Sequence, residues 1–233
     1  MPDASRYLEQ CRAGVRASPP WHPLAYIIRL LPRRLEEMAG DLRLPPNGRV
    51  LDFGCADMPY RRFFDPEAEF VGADLPGNPR ASVDVRPDGT LPSDDASFDA
   101  VLSTQVLEHV ADPNVHLDEC LRVLRPGGRL LLSTHGMMVY HPDPVDYWRW
   151  TCAGLRRAVE QAGFEVVRFE GIMGMAATGL QLVQDAASHR APRWLRPAIC
   201  LIMQSMVAVS DRVERPESRN LNALVFALVA EKP

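Results

Sequence analysis

The sequence predicts an α/β fold, a mainly parallel sheet with helices on both of its faces. Three observations lead there. From Arg49 onward, short apolar runs alternate with stretches of helical spacing, the pattern of βαβ units. Seven of these runs have the length of a strand. Two of the intervening stretches begin at a capping residue and end at a glycine, which marks them as helices.

Taken in order, residues 1–47 read as an N-terminal helical cap. It is interrupted at Trp21-His22-Pro23 and closed by the turn cluster Leu44-Pro45-Pro46-Asn47-Gly48. Residues 48–233 form the main domain. Its strands are predicted at Arg49–Phe53, Glu69–Asp74, Ala81–Val85, Phe98–Ser103, Arg129–Thr134, Glu165–Glu170 and Leu221–Ala230. Asp112 is placed to cap a helix with Pro113 at its first position. Leu117, Leu121 and Leu124 share one face of that helix, and Gly127-Gly128 supply its stop. Thr151 is placed to cap the next, which carries Leu155, Val159 and Ala162 and closes at Gly163. Residues 171–220 show no strand pattern and are too long for a bare loop. With Leu180, Leu195, Ile199, Ile202 and Met206 they are also too apolar for solvent, so they read as a helical lid or an interface insertion, with a homodimer as one use for it.

Composition excludes several function classes. Thirty acidic residues against 26 basic give a net charge of −4, so no general attraction to nucleic acid is built in. The cysteines Cys11, Cys55, Cys120, Cys152 and Cys200 stand apart with no C-x-x-C pair. Neither a disulfide framework nor a zinc site is expected, and a cytoplasmic setting suits them. Met1–Val15 has no apolar run of the signal-peptide kind. Ala198–Val209, the longest apolar stretch, has about half the length of a membrane span, so no transmembrane segment is expected. Arg190, Arg193 and Arg196 beside Trp194 suit a solvated helix face, or contact with phosphate or anionic lipid headgroups.

The site signal begins at Val50-Leu51-Asp52-Phe53-Gly54-Cys55-Ala56-Asp57, a buried strand ending at a glycine where the backbone can turn sharply and approach a ligand. The chain then enters a helix whose first amides can face polar ligand groups. Asp74, at the end of the second strand, suits hydrogen bonding to ribose hydroxyls. Further on come Leu91-Pro92 with Ser97-Phe98-Asp99, then Leu107-Glu108-His109-Val110, then Arg122-Val123-Leu124-Arg125-Pro126-Gly127-Gly128. In this order, over about residues 49–170, the motifs resemble the class I methyltransferases dependent on S-adenosylmethionine, and within them the small-molecule group called type 11.

The resemblance implies a Rossmann-like seven-stranded sheet whose last strand is antiparallel, with S-adenosylmethionine as cofactor at the carboxyl ends of the first strands. It implies that Phe53, Gly54 and Cys55 line the methionine part and that Asp52 orders their loop. Asp74 would hold the ribose, with Leu75 beside the adenine and Asp84 or Asp88 as acceptor for the adenine amino group. Thr104 and Gln105 would close over the methionine. One departure stands out. The family's loop reads D-x-G-x-G-x-G, whereas Ala56 and Met58 occupy its second and third glycine positions here. Alanine is tolerable there if its φ is negative.

A second constellation follows the fifth strand: His135, then Tyr140-His141-Pro142-Asp143-Pro144-Val145-Asp146-Tyr147-Trp148-Arg149-Trp150-Thr151. It resembles a segment of methyltransferases associated with cell-surface polysaccharide and glycolipid synthesis. An alcohol acceptor needs a general base, and histidine suits that task near neutral pH. His141, oriented by Asp143 or Asp146, is the first candidate, with His135 second. His109 either faces the acceptor or caps a helix. Tyr147, Trp148, Arg149 and Trp150 could bind a sugar ring, or Asp146 and Arg149 could simply pair while the aromatics pack. No metal is assigned, and His22, His116 and His189 read as surface or packing residues. The expected function is O-methylation of a sugar, glycan, glycolipid or related small-molecule acceptor. Alternatives are a C- or N-methyltransferase of a quinone, lipid or natural product, and a non-catalytic scaffold.

Overall fold

The structure, a computed structural model, describes residues 19–142 and 145–233. Residues 1–18 of the N-terminal cap, with Cys11, and Asp143 lie outside the described residues. The chain enters helix α1 (Ala25–Ala39) just past Trp21-His22-Pro23 and turns at Gly48, whose N–H donates to the Pro45 carbonyl. Strands β1 (Arg49–Phe53) and β2 (Glu69–Asp74) follow with the predicted limits. The third, β3, is shorter, at Val83–Asp84, and β4 (Phe98–Thr104) leads to helix α2 (Pro113–Val123). Strand β5 (Leu124–His135), helix α3 (Cys152–Gln161) and strand β6 (Glu165–Gly174) come next. Three helices then precede the last strand: α4 (Met175–Arg190), α5 (Arg196–Val213) and α6 (Pro216–Leu221). Strand β7 (Ala223–Glu231) closes the order.

The strands form one sheet in the order β3-β2-β1-β4-β5-β7-β6. The first five run parallel, and β7 pairs antiparallel with both β5 and β6. Both faces are covered, so strand residues alternate between two cores rather than between core and solvent. Leu51, Val101, Leu130 and Leu132 join the core under α2 and α3. Val50, Ala100, Leu102 and Leu131 join the one under α1, α4 and α5. The two capped helices start as the sequence indicates. Asp112 accepts from the Asn114 N–H at 2.9 Å, and the Thr151 hydroxyl accepts from the Gly154 N–H at 3.0 Å.

The end of α2 differs from expectation. It stops at Val123, and Leu124 is already paired with Phe98 in the sheet. Gly127 and Gly128 therefore lie inside β5. Gly127, at φ +77°, donates to Lys232, and a Cβ on Gly128 would stand 3.0 Å from the Asp99 carbonyl. Positive φ at Gly127 and close backbone approach at Gly128, not helix termination, are what favour glycine here.

The region before β7 is helical, and it packs on α1. Gln181, Gln184 and Gln204 all donate to the Pro23 carbonyl, at 3.0, 2.7 and 2.9 Å. Gln204 also accepts the Tyr26 N–H at 2.8 Å, and Tyr26 donates its hydroxyl to Asp211 at 2.7 Å. This polar seam fixes where α1 begins.

Candidate functional site

A cleft of about 980 Å³ opens at the carboxyl ends of β1, β2, β4 and β5, a size within the range of small-molecule sites. Its floor is the loop after β1. Gly54 has φ +86°, and a Cβ there would come 2.3 Å from a methyl of Val106, so only glycine fits. The Gly54 and Cys55 N–H groups both donate to the Ala73 carbonyl. Ala56 and Met58 are also left-handed, at φ +45° and +54°, so the condition of negative φ under which alanine is easily tolerated is not met. A non-glycine residue costs about 1–2 kcal/mol there.

Asp74 supplies the compensation. Its carboxylate accepts the Ala56 N–H at 2.9 Å, the Leu75 N–H at 2.8 Å and the Asn78 side-chain amide at 2.6 Å. Hydrogen bonds to a charged acceptor contribute about 1.5–3 kcal/mol each, enough to hold the strained turn. Asn78 also donates to the Ala56 carbonyl, and sequence reasoning missed this second clamp.

Phe53, Gly54, Cys55, Asp74, Leu75, Asp88, Thr104 and Gln105 all line the cleft, and Asp52 and Asp84 do not. Asp88 is held below the usual carboxylate range by the Thr90 hydroxyl and N–H, which donate to one of its oxygens. Gln105 is itself left-handed at φ +58° and donates its N–H to the Ser133 carbonyl. Burial pushes the Cys55 thiol up to about 12, so it is inert as a nucleophile. Asp52 is buried behind the glycine loop with Oδ2 unpartnered among the described residues. Burial, and then the charge of Asp74, raise it to about 7. An unpartnered buried carboxylate beside a second one fits a ligand that brings an ammonium group, as S-adenosylmethionine does.

The far end of the cleft gathers three imidazoles. The rings of His109, His135 and His141 lie with centroids 5.9–6.2 Å apart, and all three line the cleft. Nδ1 of His109 meets the Val145 carbonyl at 2.6 Å. A carbonyl can only accept, so Nδ1 carries the proton and Nε2 is the basic nitrogen. His135 is buried, and burial drives its imidazole down to about 3, with the Arg149 charge adding to the effect. Beneath them lies Glu108, whose side chain the sequence did not single out although it adjoins His109. It accepts from the Thr134 hydroxyl at 2.8 Å, and burial pushes it up to about 7. Among the described residues no group of three or more His, Cys, Asp or Glu side chains is arranged to hold a metal ion.

The loop after β5 builds this end. Asp146 accepts the main-chain N–H of His141 at 2.7 Å and pairs with the Arg149 guanidinium, so it fixes the His141 backbone. Burial would raise Asp146, but the Arg149 and His141 donors outweigh it and hold the carboxyl low. Arg149 also donates to the Met138 and Val139 carbonyls, and Trp148 donates to that of Val110. Trp150 packs on the core. Of the four predicted acceptor-binding residues, only Tyr147 lines the cleft.

The remaining wall comes from a part of the chain that carried no site signal. Leu24, Ile27, Ile28 and Leu31 of α1 and its entry, with Leu224 and Val225 of β7, give the cleft an apolar side. No described residue of 171–220 lines the cleft. Those helices support its wall from behind, through the seam at Pro23.

Comparison with known proteins gives a consistent result. Residues 24–168 match the model of a family described as a methyltransferase domain. A protein of Mycolicibacterium smegmatis named as an S-adenosylmethionine-dependent methyltransferase is 42% identical over 82 residues, 33% of this chain and 32% of that protein. A ubiquinone biosynthesis O-methyltransferase of Dinoroseobacter shibae is 31% identical over 187 residues, 64% of this chain and 73% of its own. The chain spans less than half the length of the first curated relatives it matches. Among solved structures, the cyclase SpnF aligns with a TM-score of 0.57 at 21% identity, covering 87% of this chain and 80% of that one. That likeness concerns the fold alone.

Proposed function

The chain belongs to the methyltransferase-domain family, and from that premise we propose that it uses S-adenosylmethionine to O-methylate a hydroxyl on an acceptor with an apolar body. The observation that carries the reading is the lining of the cleft, which holds both a cluster of imidazoles and a set of aliphatic side chains from α1 and β7. The apolar wall favours a glycolipid or a prenylated phenol over a bare sugar. The names of the O-methyltransferase relatives agree with a hydroxyl acceptor.

When bound, S-adenosylmethionine supplies a methyl group on a sulfonium, a centre open to in-line displacement. The chain's own residues do the rest. Asp74 offers its carboxylate to ribose hydroxyls while holding the loop at Ala56. Asp52 balances the ammonium, Asp88 faces the adenine edge, and Thr104 with Gln105 closes over the methionine portion. Placement of the acceptor against the methyl accounts for most of the rate. His109 is the base: Val145 fixes its tautomer, and Nε2 takes the hydroxyl proton. His141 and Tyr147 position the acceptor. His135, kept neutral by burial, forms the back of the pocket.

The test is S-adenosylhomocysteine formation by purified protein, followed by mass spectrometry. The acceptor panel contains free sugars, glycolipids, prenylated phenols and amines. Turnover confined to hydroxylated acceptors with an apolar body is expected. Turnover of free sugars alone would remove the apolar-body reading, and turnover of amines alone would remove the hydroxyl.

A further inference from the structure

Helix α5 carries an outer face that the methyl-transfer reading leaves unused. Gln204, Val207 and Asp211 turn inward to the seam and the core. On the opposite side Ile202, Met206, Val209 and Val213 are 62%, 46%, 61% and 78% exposed. Their spacing of four, three and four residues puts them in one stripe along a helix about 27 Å long. Ser205 adds little polarity to that side, because its hydroxyl is spent on the Leu201 carbonyl at 2.8 Å. A stripe of this kind is costly in water.

Its charge is one-sided. Arg193, Arg196 and Arg212 are exposed, and no carboxylate among the described residues pairs with them. The only acid from residue 191 to 213 is Asp211, which is buried and accepts from Tyr26 and the Gly174 N–H. This region is therefore basic on a chain whose net charge is −4. Trp194, 80% exposed, stands at the entry to the helix. Apolar stripe, flanking arginines and a tryptophan at the margin are the composition of a helix that lies in a membrane interface. No helix among the described residues is long and apolar enough to cross a membrane.

We propose that the outer face of α5 docks the protein on an anionic lipid surface. A second copy of the chain is the poorer occupant, since a twofold contact along α5 would set its arginines together, while its one acid, Asp211, is buried and the exposed Glu217 lies beyond its end. The surface stands independently of the methyl-transfer reading. Yet the two are joined through the seam: Gln204 and Asp211 hold Pro23 and Tyr26, next to Leu24 and Ile27 of the cleft wall. Docking by this face would leave that wall a helix diameter, about 10 Å, from the lipid.

The full chain is sedimented with vesicles of phosphatidylcholine alone and of phosphatidylcholine mixed with phosphatidylglycerol, without methyl acceptor. Binding to the mixed vesicles is expected to be at least about tenfold tighter, and to weaken as salt is raised. Reversing Arg193, Arg196 and Arg212 to glutamate should lower it roughly fivefold or more per residue. Ile202→Asp combined with Val209→Asp should abolish it with the thermal midpoint unchanged, as both side chains face outward. Should that pair unfold the protein, the salt and lipid dependence of the unaltered chain decides. No vesicle binding, or equal binding to both compositions, overturns the proposal. So does a dimer in solution that Val209→Asp converts to a monomer, which would give the face to a second copy.

Discussion

His135 Nε2 stands 3.2 Å from Glu108 Oε1 with no hydrogen bond between them, and both groups are buried. Burial moves them in opposite directions, the imidazole down to about 3 and the carboxyl up to about 7. At neutral pH the imidazole is uncharged and the carboxyl is near its midpoint. Glu108→Gln should therefore remove an ionisation near pH 7 from the turnover profile, with stability changed by less than about 1 kcal/mol. Glu108→Ala should cost about 2–4 kcal/mol in denaturant unfolding, because it strands Thr134 and leaves a cavity.

The three histidines separate by their partners. His109→Ala should lower single-turnover methyl transfer by roughly 10²–10⁴-fold at saturating cofactor, the usual worth of a general base. Cofactor affinity should hardly change. His141→Ala should act mainly on acceptor KM, and His135→Ala mainly on stability. Full activity in the His109 variant with loss in His141→Ala would transfer the role of base to His141.

Asp74→Ala removes the hold on the loop as well as a ribose partner, and should weaken cofactor binding by at least about 1.5–3 kcal/mol. Asn78→Ala removes the amide that donates to both Asp74 and the Ala56 carbonyl, and should weaken it by about 1–2 kcal/mol. Titration calorimetry measures both, and equal affinities in folded variants would take Asp74 out of the site.

Ala56 and Gly54 should respond oppositely to exchange. Ala56→Gly relieves a left-handed alanine and should leave cofactor affinity unchanged or better. Gly54→Ala meets both positive φ and the Val106 methyl, and should abolish binding while lowering the thermal midpoint. Val106→Ala in the second variant should restore only part, since φ stays unfavourable.

His116 provides a stability test against pH. Its Nε2 bonds the Ser103 hydroxyl at 2.9 Å, and burial lowers it to about 4. As pH falls from 6.5 the unfolded chain takes up the proton first, so its share of stability is whole above 6.5 and lost between there and about 4. Asp52 and Glu108, raised to about 7, run the other way and lose their share as pH rises toward 7. His116→Gln should consequently flatten the acid limb in urea unfolding measured at successive pH values. An unaltered limb would mean that His116 is protonated in the fold.

What could be read from the sequence follows the range of the interaction. β1, β2 and the caps at Asp112 and Thr151 depend on neighbours a few residues away, and the structure has them at the places their residues indicate. Gly127-Gly128 misled, because what favours glycine is a positive φ at the first and the close approach of the Asp99 carbonyl, from another strand, at the second. The cofactor loop announced itself through Gly54 and Asp74, but Asn78 has no fixed spacing that marks it as a clamp. Clustering of His109, His135 and His141 was expected only in outline. That α1 walls the cleft was illegible, since apolar residues at helical spacing look the same in a core and at a pocket.

The Pro23 carbonyl has two lone pairs and three amide donors directed at it. That surplus makes the anchor redundant. Losing Gln181 or Gln184 singly still leaves two donors for two lone pairs, whereas losing both leaves one, so the harm from accumulated substitutions arrives as a step and not a slope. Gln204 is outside this insurance, because it alone also receives the Tyr26 N–H. At the Pro23 carbonyl the seam therefore bears the loss of Gln181 or Gln184 alone and is exposed at Gln204.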